Sequence, residues 1–284
     1  QYLRKKLLER DIIHCDETPI QVLKEDGKKP QTKSYMWLYR SGNDGKAPII
    51  LYDYKPSRNG DNPADYLKGF TGYLHTDGFS GYNKLEVIRC GCWAHLRRKF
   101  VEAIPGKKAK DTPPTNAEIG RDFCDKLFYI EESLKDLSPE DRYIKRLELE
   151  RPVLDAFWCW LENLTVLSGS ALGKAVAYAK NQKPYMENYL LDGRCSISNN
   201  IAENSIRPFC VGRKNWLFSD TPKGAEASAA VYSIIETAKA NGLNVYTYLE
   251  YLLLYMPDTD YHNHPEDLEV LMPWSEAVQA ECGN

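Results

Sequence analysis

The chain has 284 residues, enough for one large domain or two ordinary ones. Hydrophobic residues make up 43% and charged residues 27%, which excludes a disordered chain. The longest apolar runs are as short as Leu252-Leu253-Leu254, too short for a transmembrane helix, and Gln1-Tyr2-Leu3-Arg4-Lys5-Lys6 lacks the apolar core of a signal peptide.

With no export signal, the eight cysteines are expected to be reduced thiols in a cytoplasm, with no membrane partner. The net charge of −3 hides an asymmetry. Residues 245–284 hold eight acids and no Lys or Arg, so the rest of the chain holds 37 basic against 32 acidic residues. Residues 89–110 are sharper still: Arg89, Arg97, Arg98, Lys99, Lys107, Lys108 and Lys110 face Glu102 alone. Such a run is either a solvated face or a contact for a polyanion.

In chain order, residues 2–10 look like the end of a helix. Residues 11–22, 34–40 and 48–54 are short, β-prone runs bounded by Gly27, Gly42-Asn43-Asp44-Gly45 and Pro56-Ser57-Arg58-Asn59-Gly60, which predicts a three-strand antiparallel meander. Asn62-Pro63 opens a short helix over 64–70. A fourth strand is predicted over 72–76, ending at Asp77-Gly78, and a fifth over 87–92, feeding a helix over 94–103.

The period changes at Asn116. Ile119, Phe123, Leu127, Ile130, Leu134 and Leu137 form an amphipathic helical stripe. Ser138-Pro139 caps a second helical run to about 167, bent at Pro152, and a third covers 171–181 and resumes after Pro184. A short helix is expected from Asn200 to Pro208, and another over 225–240 with Gly242 just past its end.

Three acids could carry chemistry. Asp16 and Asp77 each end an apolar strand, and Glu203 sits in the helix after the helical block. Each has a plain alternative: a turn acid for the aspartates, a capping box with Asn200 or an ion pair with Arg207 for Glu203. Together they are hard oxygen donors suited to Mg²⁺ or Mn²⁺. Two such ions can activate one oxygen of a phosphodiester and stabilise the leaving one. Cys90, Cys92 and His95 form Cys-x-Cys-x-x-His, but no second cluster with ligand spacing follows, so structural zinc is the weaker reading. Cys15 reads as a buried strand thiol. Arg207, Arg213 and Lys214 flank Glu203 and could clamp phosphates, with Trp216 available to stack on a base.

The words around these residues carry more than their spacing. Asp16-Glu17-Thr18-Pro19, Thr76-Asp77-Gly78-Phe79-Ser80-Gly81-Tyr82, Cys92-Trp93-Ala94-His95-Leu96-Arg97-Arg98-Lys99-Phe100, the run from Ser198 to Pro208, Gly212-Arg213-Lys214-Asn215-Trp216-Leu217-Phe218 and the run from Tyr232 to Gly242 occur in this order. Over residues 12–257 the chain closely resembles the transposase family of bacterial insertion sequence 66.

The resemblance implies a DDE transposase: an α/β, RNase H-like mixed sheet flanked by helices, with an all-helical insertion between the second and third acids. The expected division is a core over 1–115 and 196–257, an insertion over 116–195 and an acidic tail over 258–284. Asp16, Asp77 and Glu203 would be the catalytic and metal-binding triad, holding two Mg²⁺ or Mn²⁺ ions. His95, Arg97, Arg98, Lys99, Arg207, Arg213, Lys214 and Trp216 would contact DNA. The expected partners are transposon-end and target DNA, further copies of the chain on that DNA, and accessory proteins of the same element, in a bacterial cytoplasm at the nucleoid. A nuclease without strand transfer, or an inactive DNA-binding relic, are the alternatives. Family members carry a longer N-terminal portion, so the chain is expected to be a fragment that binds DNA weakly.

Overall fold

The computed structural model describes residues 1–106 and 113–284. Lys107, Lys108 and Lys110 of the basic run lie outside the described residues. In chain order the elements are α1 (Tyr2–Leu8), β1 (Ile12–Gln21), β2 (Lys33–Ser41), β3 (Ile50–Lys55), α2 (Asp61–Tyr66), β4 (Tyr73–His75), β5 (Ile88–Cys90), α3 (Trp93–Glu102), α4 (Asn116–Ser133), α5 (Pro139–Leu149), α6 (Arg151–Glu162), α7 (Ala171–Met186), α8 (Asn200–Trp216), α9 (Pro222–Ala240), α10 (Val245–Tyr255) and α11 (Glu276–Cys282). The class is α/β, as expected. The chain forms two compact units, one of residues 1–72, 81–86 and 201–284, the other of residues 73–80 and 87–200.

In the first unit, β1, β2 and β3 form the expected antiparallel meander. Asp16 pairs with Leu38, and Leu38 with Tyr52. Even-numbered residues share one face because side chains alternate along a strand. That face carries Ile20, Val22, Met36, Leu38, Ile50, Tyr52 and Tyr54, and it packs against Ala202, Ile206 and Phe209 of α8 and Ala225 and Ala229 of α9.

The small residues of α9 let it approach the outer side of β3 closely. There the Tyr52 amide donates to Ser233 Oγ at 2.8 Å and the Ile50 amide to Thr237 Oγ1 at 3.0 Å. An exposed row of strand amides is thereby satisfied by a helix. Near the C-terminus, α11 buries Val278 and Cys282 against Ala238, Leu243 and Tyr248, so part of the acidic 258–284 segment is packed helix.

Helix α8 runs eight residues past its expected stop at Pro208, ending at Trp216. Proline removes one helical hydrogen bond, whose acceptor would be the carbonyl of Asn204. Asn204 is exposed, so water can serve that carbonyl. Helix α7 likewise continues unbroken through Pro184. The chain does break near Pro152, which starts α6.

The second unit pairs β4 with β5 in parallel, Tyr73 opposite Ile88 and His75 opposite Cys90. Residues 116–191 form α4 to α7 and a short 3₁₀ helix. Thr115 caps α4 in a capping box with Glu118, and Ser138 Oγ accepts the Asp141 amide at 3.1 Å to start α5.

The buried stripe of α4 is Ala117, Gly120, Cys124 and Leu127, a face rotated from the expected Ile119–Phe123 stripe. Gly120 is the reason. A Cβ there would lie 2.5 Å from the Phe100 ring, so that ring of α3 packs directly on the α4 backbone. Phe100 packs edge-on against Phe157, which meets Trp93 at 5.3 Å between ring centroids. Arg146 is the polar centre of this unit. Its side chain is 1% exposed and binds Glu131 through two bonds of 2.6 and 2.7 Å, and it donates to the carbonyls of Tyr189, Asp192 and Cys195.

Candidate active site

Asp16 is half-buried on β1, on the face covered by α8. Its Oδ1 accepts the Glu17 amide at 2.9 Å. The neighbouring Glu17 points to the other face and is held by two groups: Oε1 accepts Arg58 Nε at 2.6 Å, and Oε2 accepts the buried Tyr82 hydroxyl at 2.6 Å. Of the two adjacent acids, Glu17 is the structural one.

Glu203 sits half-buried in the first turn of α8. Four contacts set the height of this helix over the sheet. Arg40 Nη1 donates to Ser205 Oγ at 2.6 Å, and the Tyr52 hydroxyl donates to the Ser205 carbonyl. Arg40 belongs to the cross-strand row of His14, and Tyr52 to the row of Asp16. At the other end, Cys210 Sγ lies 3.5 Å from Thr18 Oγ1, and Arg213 Nη1 donates to the same oxygen at 2.9 Å. Helix and strand therefore run in the same direction.

Glu203 lies two turns before Cys210 on one helix face, and Asp16 lies two residues before Thr18 on one strand face. Two helical turns rise about 11 Å and two strand residues about 6.7 Å. The backbones of both residues thus stand on the same side of the Thr18–Cys210 contact, at heights differing by roughly 4 Å. Two hard oxygen donors on rigid elements of one unit suit a divalent cation of the Mg²⁺ kind.

Asp77 belongs to the second unit, two residues past β4. Its Oδ1 accepts the Phe79 amide at 2.8 Å, and its carbonyl accepts Arg89 Nη2 at 3.3 Å. Arg89 also donates to Thr76 Oγ1 at 3.3 Å and lies 4.0 Å over the Tyr185 ring. At 4% exposure Arg89 cannot meet a polyanion, so the basic run loses its first member to a structural task. Gly78 is needed beside Asp77, because a Cβ would fall 2.6 Å from the Tyr178 ring.

The expected DNA-contacting residues divide. On α3, His95 is half-buried, Arg97 pairs with Asp125, Lys99 lies 4.9 Å over the Tyr178 ring, and Arg98 is exposed. Arg97, Arg98, Asp125 and Asn200 line a cleft of about 520 Å³. On α8, Arg207 and Lys214 are exposed, whereas Arg213 is turned back onto Thr18 and Pro19. Trp216 meets Phe209 edge-on at 5.3 Å, so its ring serves the core of the first unit.

Sequence reasoning missed the Arg146 centre and Glu150. Glu150 is fully buried and its Oε2 accepts the Tyr189 hydroxyl at 2.5 Å. Burial, together with the nearby Glu131 carboxylate, pushes its carboxyl up to about 8.

Residues 1–227 match the family model described as Transposase IS66 family, and residues 233–274 match the IS66 C-terminal element. Among curated proteins, the chain is 30% identical to the uncharacterized protein y4qI of Sinorhizobium fredii, over 96% of this chain and 52% of that protein. It is 28% identical to the uncharacterized protein y4hP of the same organism, over 92% of this chain and 50% of that protein. The chain thus spans about half the length of the curated relatives it matches. No solved structure matches it. Among the described residues no helix is long and apolar enough to cross a membrane.

Proposed function

The chain belongs to the IS66 transposase family, and on that premise we propose that it is the catalytic region of a DNA transposase of the DDE type with an RNase H-like core. The reaction is cleavage at the ends of the element, followed by attack of the freed 3′-OH on target DNA. Asp16, Asp77 and Glu203 are the three acids. The observation that supports this reading is the register of α8 over β1, the elements that carry Glu203 and Asp16, set by the Thr18–Cys210 and Ser205 contacts.

The three carboxylates would hold Mg²⁺ or Mn²⁺, which when bound supply charge neutralisation and a more acidic attacking oxygen. The remaining tasks belong to the protein. Asp16 is kept in place by the Glu17 amide, and Asp77 by the Phe79 amide. Arg98, Arg207 and Lys214 supply exposed positive charge for phosphates, a contact that gives affinity without reading sequence. Arg213 fixes α8 to β1, and so positions Glu203.

The test is cleavage and joining of end-bearing DNA by the natural full-length protein and its Asp16→Asn, Asp77→Asn and Glu203→Gln variants. Loss of both steps in all three, with folding retained, supports the proposal. Joining by a variant at the normal rate would overturn it.

A further inference from the structure

We propose that the second unit holds a zinc ion between His75, Cys90 and Cys195, a ligand set that includes none of the three acids. One ligand atom from each of these residues lies within 4.8 Å of the other two. The register explains the first two. His75 ends β4, Cys90 ends β5, and the two are opposite one another in a parallel pair, which puts both side chains on one face of the ribbon. Cys195 arrives from the segment before α8, and its backbone is fixed at both polar groups. Its amide donates to the Asp192 carbonyl at 3.0 Å, and its carbonyl accepts Arg146 Nη2 at 2.8 Å. Three side chains 15 and 105 residues apart in sequence are thus brought together by strand pairing and by the Arg146 centre.

The donor chemistry selects the ion. Two thiol sulfurs and an imidazole are soft to borderline ligands, which favour Zn²⁺ over the hard Mg²⁺ suited to carboxylates. In a tetrahedral zinc site with Zn–S near 2.3 Å, neighbouring donors stand roughly 3.8 Å apart, so an adjustment of about 1 Å closes the cluster. Binding releases two protons: two thiols become thiolates, and Zn²⁺ with two thiolates and a neutral imidazole is uncharged. A neutral centre suits this place, where His75 is 0% and both cysteines 1% exposed. Arg146 brings a positive charge nearby, but Glu131 offsets it through two bonds. Three protein ligands leave one coordination position, which a water fills.

Sequence spacing points elsewhere, to Cys92 and His95 as the partners of Cys90. Cys92 lies outside the His75–Cys90–Cys195 cluster, and its sulfur accepts the Asn199 amide at 3.2 Å. The proposed ion ties the end of β4 to β5 and to the 192–195 segment. Asp77 is two residues past His75, so zinc would steady the turn that presents it.

The experiment is Co²⁺ and Zn²⁺ titration of the reduced, tag-free 284-residue chain, with X-ray absorption on the zinc-loaded protein. One equivalent of Co²⁺ should give a near-ultraviolet thiolate charge-transfer band. Zinc absorption should show two sulfur neighbours near 2.3 Å, with the remaining neighbours nitrogen or oxygen near 2.0–2.1 Å. Cys195→Ser and Cys90→Ser should each weaken binding at least tenfold, while Cys159→Ser, at an exposed thiol, should leave it unchanged. The absorption measurement uses the unaltered chain, so it decides even where a variant fails to fold. An all-nitrogen/oxygen shell, a Co²⁺ spectrum without the thiolate band, or a metal-free Cys90–Cys195 disulfide in freshly purified protein would each overturn the proposal.

Discussion

Cys210 on α8 touches Thr18 on β1, sulfur to oxygen at 3.5 Å, although 192 residues separate them. This contact, with Arg213 donating to the same Thr18 hydroxyl, fixes the register of a helix over a strand. Two turns back along the helix stands Glu203, and two residues back along the strand stands Asp16. Carboxylates on loops would not keep such a relation. Here it follows from the two periodicities, 3.6 and 2.

Charge removal at Asp16 should separate from charge removal at Glu17. Asp16→Asn should leave the melting temperature nearly unchanged and abolish DNA cleavage. Glu17→Ala strands the Arg58 guanidinium and the buried Tyr82 hydroxyl, and should cost about 1–2 kcal/mol of stability. Denaturant titration and a cleavage assay on both variants check this. Equal stability losses in the two would show that the acids were assigned to the wrong roles.

Arg146 should be among the least tolerant positions of the second unit. Arg146→Met leaves Glu131 without its bidentate partner and removes donors from three carbonyls. The expected cost is about 3–5 kcal/mol. A variant as stable as the parent in chemical denaturation would contradict the central place given to this side chain.

Glu150 gives the second unit a pH dependence of definite sign. Its carboxyl is pushed up to about 8 in the fold, against 4.5 for an ordinary glutamate. Between these values the unfolded chain has lost a proton that the folded chain keeps. Stability is then full below about pH 4.5 and falls as pH rises toward 8. Glu150→Gln should flatten this slope in denaturation curves taken from pH 5 to 8. An unchanged slope would mean that another group titrates there.

Much of this fold is legible in the sequence. The first three strands stand out because β-branched and aromatic runs are cut by glycine-rich turns, and their antiparallel order follows from the short connections. What proline does in α7 and α8 is not legible locally, since both helices continue where packing outweighs one lost hydrogen bond. The burial of Arg89 depends on Thr76 and Tyr185, 13 and 96 residues away, which counting charges along the chain does not reveal. The apolar stripe of α4 is buried in part, at Leu127 and Leu134, and the rest of the buried face lies around Gly120, which a hydrophobic count ignores and on which the Phe100 ring packs.

DNA binding by this chain should be weak and salt-sensitive. Arg98, Arg207 and Lys214 are exposed and would meet phosphates, and non-specific affinities of this kind are on the order of 10⁻⁴–10⁻⁶ M. Replacing Arg207 and Lys214 together by Ala should lower the slope of log affinity against log salt by about 2. Anisotropy titrations with end and scrambled duplexes test this. Tight, end-selective binding would place sequence recognition within these 284 residues.

The central claim is that Asp16, Asp77 and Glu203 act as one metal-dependent site. The most direct measurement is single-turnover strand transfer of pre-cleaved end DNA by the natural full-length protein, in Mg²⁺, Mn²⁺ and Ca²⁺, with each acid replaced in turn by its amide. Mg²⁺ and Mn²⁺ should support joining. Ca²⁺ should support DNA binding with little joining, because it accepts looser coordination. Each of the three variants should lose joining by several orders of magnitude while still binding DNA. Full joining in the presence of a chelator, or by Asp77→Asn at the parental rate, would contradict the account.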